Sequence, residues 1–311
     1  MFQRIFSVAI LVLTSVVVSA QDLSDLMGTD KPLREPVMAT FKASRIINAQ
    51  TVETAKHGNL FFCITHRFGE CATTGAVHTL YGFDNSSDIR FSFDYGLTKN
   101  LTLGIGRSKG TNPITELYDG TIKYRVATQT TDNHIPFSVA LFGEAGVSAR
   151  TKVADSSSDA AFPKFVDRWN YVSQLVLARK FNRFVSAELI GSWSHRNFVA
   201  FGDENDFFSV GAGARVKLTK RFGITADYFY NLSKFRTDNT DSNGDKVFHN
   251  PLAVGVEIET GGHVFTINFT NSTGIEEVEF LPYTRSDWLK GEFRFGFNIS
   301  RNFVLCQPKI D

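Results

Sequence analysis

Shortages narrow the class of this 311-residue chain before its motifs do. No apolar run reaches the ~20 residues that a membrane-spanning helix requires, so a helical crossing of a bilayer is excluded. Only three cysteines occur, Cys63, Cys71 and Cys306, at irregular spacing. That odd count supports neither a disulfide framework nor a thiolate metal or redox motif. With 33 Lys and Arg against 32 Asp and Glu, no strong charge of either sign is present. A nucleic-acid partner and a polybasic membrane-surface role are therefore not expected. Proline and methionine are scarce as well, at 8 and 3 residues. Against these shortages stand 30 phenylalanines, and an aromatic-rich composition favours strands.

The chain opens with MFQRIFSVAILVLTSVVVSAQ, in which Arg4 precedes an apolar stretch from Ile5 to Val18 and Val18, Ser19 and Ala20 form a small-residue cleavage site. This is the pattern of a secretory signal peptide. The mature chain is then expected to start at Gln21 and to enter an oxidising or envelope compartment.

Further on, Ile89, Phe91, Phe93 and Tyr95 alternate with Arg90, Ser92 and Asp94, and Leu101, Leu103 and Ile105 alternate with Thr102, Gly104 and Gly106. Side chains on a strand point to opposite faces in turn, so each run has one greasy and one polar face. The short connection Leu97 to Lys99 makes the pair a hairpin. The same alternation predicts strands over 59–68, 87–96, 100–109, 117–127, 135–147, 168–179, 184–196, 206–218, 222–234, 251–260, 263–271 and 288–300. Many are longer than the ~5–6 residues usual in soluble sheets and match the ~9–11 of a tilted membrane-crossing strand.

Long and short connections alternate along the chain. The long ones are 69–86, 110–116, 148–167, 197–205, 235–250 and 272–287; short turns and one moderate link, 128–134, lie between them. Greek-key sandwiches lack this regularity, whereas an outer-membrane barrel has short turns at its periplasmic end and long loops outside. The expected fold is all-β: a closed, antiparallel, up-and-down transmembrane β-barrel of about twelve strands, or fourteen if "MATFKASRIIN" pairs with a further segment. The expected layout is a signal peptide over 1–20, a periplasmic N-terminal arm or plug over 21–58, the barrel over 59–305 and a short tail over 306–311.

The segments "FKASRIINAQTVETAKHGNLFFCITHRFG" (41–69), "LYGFDNSSDIRFSFDYGLTKNLTLGIGRS" (80–108), "YDGTIKYRV" (118–126), "LTKRFGITADYFY" (218–230), "IETGGHVFTINFTNS" (258–272) and "FGFNISRNF" (295–303) resemble a family of exported Bacteroidota outer-membrane β-barrels, domain of unknown function 5777. The resemblance spans nearly the whole mature chain. It implies an outer-membrane barrel and brings no activity or ligand. Cys63 and Cys71, and the tail "VLCQPKID", depart from it.

On the polar face stand Arg90, Asp94, Lys123, Arg125, Glu144, Glu188, Arg215, Asp227, Glu257, Glu292 and Arg294, together with Lys217 and Glu259. A Lys or Arg facing lipid at mid-depth costs ~2–4 kcal/mol, so these are expected to point inward. They either line a polar pore or form salt-bridged pairs that fill the lumen, since twelve strands fall between a packed interior and a water channel. His66, Arg67, Arg107, His195 and Arg196 are expected at the outer rim, as cations meeting lipid headgroups beside an aromatic girdle. In "DNTDSNGDKVF", Asn239, Asp241, Asn243 and Gly244 imitate the start of a calcium loop, but Asn250 stands where the bidentate glutamate belongs; a solvated turn is the expectation.

His263, Asn268 and Ser272 are the residue types of an outer-membrane phospholipase, yet His263 and Ser272 lie at opposite ends of one strand, ~30 Å apart at strand rise. Catalytic residues, metal and cofactor are therefore not expected. The functional expectation is a passive small-solute channel or envelope component of a Gram-negative outer membrane, monomeric, with lipid and the barrel assembly machinery as its partners. The alternative is a surface ligand-binding barrel using loops 148–167 and 235–250; a lipid-acting enzyme is the third reading.

Overall fold

In a computed structural model of the chain, which describes residues 34–111, 113–155 and 158–306, the alternating segments close into one antiparallel barrel. The expected signal peptide, residues 21–33 of the arm and residues 307–311 of the tail lie outside the described residues. The strands are β1 (Asn59–Glu70), β2 (Ser86–Gly96), β3 (Leu101–Gly110), β4 (Glu116–Ala127), β5 (Ser138–Ser148) and β6 (Trp169–Lys180), then β7 (Val185–Arg196), β8 (Asp206–Lys217), β9 (Phe222–Asn231), β10 (Leu252–Thr260), β11 (His263–Thr270) and β12 (Arg294–Val304). Each pairs with its neighbour in sequence. β12 returns to β1 in a register running from Asn59 opposite Val304 to Arg67 opposite Gly296, so no sheet edge stays open.

Twelve is thus the strand number, and residues 34–58 add no strand to the wall. The last strand starts later than its alternation predicts. Asp287 accepts a hydrogen bond from Leu289 N at 2.9 Å, a 3-10 turn follows over Trp288–Lys290, and Gly291 leaves it with φ 77°. Glu292 then accepts from Asp287 N at 2.7 Å, and the wall resumes only at Arg294.

Side chains alternate across this wall as the sequence pattern requires. Outside, Phe62 and Phe93 lie ring to ring at 5.0 Å, and Ile105 is 65% exposed among many other outward apolar residues. In water so large a greasy surface would aggregate, whereas in a membrane it is the band that hydrocarbon solvates. Five connections, four of them two to four residues long, gather at one end of the barrel and six mostly longer ones, with both α-helices of the described residues, at the other. These helices are α1 (Lys234–Asp238) and α2 (Glu277–Tyr283).

Inside, two inserts meet. Residues 40–55, close to the turn end at Lys42 and Ala55, run through the barrel, buried at 40–41 and 46–52 and half-buried at 42–45. From the loop end, the connection between β11 and β12 folds inward instead of outward, burying Asn271–Pro282 apart from Thr273. Its turn into α2 is closed by Glu279, which accepts from Ile275 N and Glu276 N at 3.1 Å each.

Candidate functional site

One side of the lumen gathers most of its apolar side chains. Phe142, Val172, Val176, Ile190, Phe207 and Phe229 project inward from β5 to β9 and join Ile46, Ile47, Val278, Phe280 and Leu281 of the inserts in a single core. Phe280 and Phe229 are both fully buried, with ring centres 5.3 Å apart. Gly213 on β8 makes room for this packing, since a Cβ there would run into Ile46.

The other side is ionic, and its wall charges meet the inserts. Arg90 on β2 bonds Asp119 on β4 at 2.6 Å and reaches Glu276 at 2.9 Å. Gly106 on β3 leaves space for the Arg90–Asp119 pair, which any Cβ would strike. Arg45, from the N-terminal insert, donates to Ile275 O at 2.9 Å and pairs with Glu276 at 2.9 Å and Glu277 at 3.0 Å. A single guanidinium therefore joins the two inserts. Burial pushes Glu277 up to about 7 against the pull of Arg45, with Glu276 adding to the rise.

Other wall groups hold the N-terminal insert directly. Asp227 accepts from the backbone of Ile47 at 3.1 Å and Asn48 at 2.9 Å, and Lys123 donates to Ser44 O at 2.6 Å. Asn298 donates to Ile47 O at 3.3 Å, and Lys42 pairs with Glu259 at 2.9 Å. Arg67 bridges both inserts, donating to Asn48 Oδ1 and to the carbonyls of Ser272 and Gly274. Of the remaining polar-face residues, Arg215 pairs with Glu257 at 2.6 Å, and Glu144 and Glu188 are buried. Arg125 lies 3.8 Å from Glu53 at the turn end, Asp94 lines a cavity beside Lys123, and Arg294 binds Glu70 at 3.1 Å. Glu292 sits in the loop before β12 and not on the wall.

The rim needs a correction. Arg67 and Arg196 were expected among lipid headgroups, but each is 1% exposed because it falls on the inward phase of its strand. Arg196 pairs with Asp203 at 2.9 Å and donates to Tyr283 Oη, while Arg236 of α1 pairs with the same carboxylate at 3.1 Å. Burial alone would raise Asp203, yet Arg196 and then Arg236 hold it below the usual carboxylate range. Their histidine neighbours face outward: His66 stacks on Phe297 at 5.6 Å, and His195 bonds Asp206 at 2.9 Å. Arg107 also faces out, over the Tyr118 ring at 4.6 Å.

Residues 240–246 form an exposed turn in which Asp241 accepts from Asn243 N and Asp245 N, so its carboxylate serves its own backbone. His263 sits opposite Arg301 at the turn end, while Ser272 is buried beyond the far end of β11. Sequence reasoning passed over Arg45, Asp119, Asp203, Arg236, Glu276 and Glu277. A signal was available in "GIEEVEFL" and "SRIIN", where apolar residues cluster in segments assigned to a loop and an arm.

Residues 41–303 match the family model described as a membrane bound beta barrel domain (DUF5777), and the chain belongs to that family. The match starts at Phe41, within the N-terminal insert, so the insert is part of the family's domain. Among curated proteins no significant match is found. Solved structures of similar shape include the KdgM porin (8% identity, 79% of this chain and 99% of that one, TM-score 0.46) and the NanC porin (9%, 78% and 98%, 0.46). An outer-membrane channel from Pseudomonas putida F1 is also similar (14%, 81% and 98%, 0.44).

Proposed function

We propose that the protein is an outer-membrane β-barrel, turn end in the periplasm, that acts as a gated conduit closed at rest by its two inserts, without enzymatic chemistry. The observation that carries this reading is the asymmetry of the lumen. A purely structural barrel is served by an apolar filling throughout, since replacing a buried ion pair by packed hydrophobic residues is often neutral or stabilising. Here one side of the inserts packs mainly on apolar wall residues, while on the other Arg45 pairs the two inserts with each other and the wall meets them through the ion pair of Arg90 and the hydrogen bonds of Arg67 and Lys123. Such contacts are directional, and water or a charged solute can replace them. The inward loop between β11 and β12 is the natural moving part, since it follows the shortest strand and its first turn is held by polar contacts at Ser272, Gly274 and Glu276.

Planar-bilayer recording tests this. The full-length protein is expected to insert and stay silent at rest. A variant with 274–283 replaced by a Gly-Ser linker of equal length should show discrete openings. If that variant retains its strand content by circular dichroism and remains electrically silent, the conduit reading is wrong and the barrel is an envelope component.

A further inference from the structure

We propose that Glu144, Glu276 and Glu277 form a site for one divalent cation of the calcium type, which ties the inward loop to β5. All three carboxylates are buried, and one oxygen from each lies within 4.8 Å of the other two. Two oxygens bound to one calcium ion at ~2.3–2.6 Å reach separations up to about 5 Å, so the three can share an ion with little movement. The donor set is all carboxylate, which suits a hard cation and not a thiolate- or imidazole-seeking one.

A second observation points to a ligand. Glu144 Oε1 and Glu277 Oε1 are buried without a hydrogen-bond partner, although the other oxygen of each is bonded, Glu144 to Val278 N and Glu277 to Arg45. A buried ionised oxygen left without a donor is expensive, and each such atom requires an explanation. Local charge is unbalanced in the same sense. Glu144, Glu276, Glu277 and Asp119 face Arg45 and Arg90, and with all four carboxylates ionised, four negative charges less two positive leave two. One divalent ion supplies that difference. On the adjoining wall Asp94 and Lys123 offset each other, and they line, with Arg45 and Arg90, a cavity of about 60 Å³ that brings room for water to the edge of the cluster. Water ligands are usual for calcium sites with few protein oxygens.

The site does not depend on the conduit reading, because binding and stability are read without any transport. The test uses full-length protein refolded in lipid-free detergent micelles at pH 8, stripped with a chelator and titrated with calcium chloride by calorimetry, with melting followed by circular dichroism. One calcium per barrel and a melting point raised by several degrees are expected. Glu144→Gln and Glu277→Gln should each weaken binding at least tenfold, while Glu116→Gln, whose carboxylate pairs with the exposed Lys109 at 3.1 Å, binds as the unaltered protein does. The proposal is overturned if calcium gives neither heat nor a melting shift, or if the two lumen variants bind undiminished. It is equally overturned if both variants melt higher than the unaltered protein and calcium adds nothing, since the cluster then carries its surplus as shared protons. Should either variant fail to fold, chelator-reversible stabilisation of the unaltered protein decides.

Discussion

The two sides of the lumen solve one packing problem differently. Along β5 to β9 the inserts are held chiefly by Ile46, Ile47, Val278, Phe280 and Leu281 against apolar side chains, with Asp227 adding bonds to the backbone; toward β1 to β4 they are held by Arg67, Arg90 and Lys123 of the wall and by Arg45, which pairs one insert with the other. Apolar contact is non-directional and indifferent to which neighbour supplies it, so it fills space and sets stability. An ion pair in a dry interior works only when each charge meets its own partner. The contrast separates what keeps the inserts inside from what decides where they sit. Removing an apolar side chain should leave the inserts in register but looser. Removing a charge should leave its partner stranded and drive the inserts out of register.

Arg45→Ala should break the comparison hardest. It strips Glu276 and Glu277 of their shared guanidinium, and leaving buried charges unpaired costs ~3–5 kcal/mol, here toward the upper end because two carboxylates lose a partner. Denaturant unfolding in micelles measures the loss. Phe280→Ala should cost about 3 kcal/mol, at the lower end for buried aromatics because Phe229, 5.3 Å away, can move into part of the space. Its lumen should stay closed in bilayer recordings, whereas that of Arg45→Ala should flicker.

Asp227→Asn is a gentler probe. The amide keeps an acceptor for the backbone of Ile47 and Asn48 but loses the charge that strengthens those bonds, and about 1 kcal/mol is expected in the same unfolding assay. The smallest effect belongs to the loop end and shows only with pH. Asp203 is held below its ordinary pKa, so its contribution is present above the usual carboxylate range and is lost as pH falls through the lowered folded-state value. Melting curves of unaltered protein and Asp203→Asn should therefore differ at pH 7 and converge on acidification. A gap that widens toward low pH would show that Arg196 and Arg236 do not hold this carboxylate charged.

The wall of this protein is written plainly in its sequence, because a strand that separates lipid from a polar interior must alternate, and alternation is visible residue by residue. Phe91, Phe93 and Ile105 announce their face without knowledge of any partner. The inserts are less legible for a physical reason. Arg45, Glu276 and Glu277 acquire meaning only from each other across more than 200 residues, and neither segment has a strand or helix period to betray it. Glu292 was misplaced because it keeps the phase of β12 while the chain is still turning through Trp288–Lys290. Arg67 and Arg196 show how much one residue of phase matters. Each follows a histidine at the end of a strand, so histidine and arginine face opposite ways: His66 and His195 outward, the two arginines into the lumen.

Hydrogen exchange of the full-length protein in micelles, resolved by peptide, tests most directly whether the lumen is filled by these two segments. Protection over 41–52 and 275–283 comparable to that of the strands, lowered together in Arg45→Ala, is the predicted result. Exchange of both segments at the rate of an unfolded chain in the unaltered protein would contradict it.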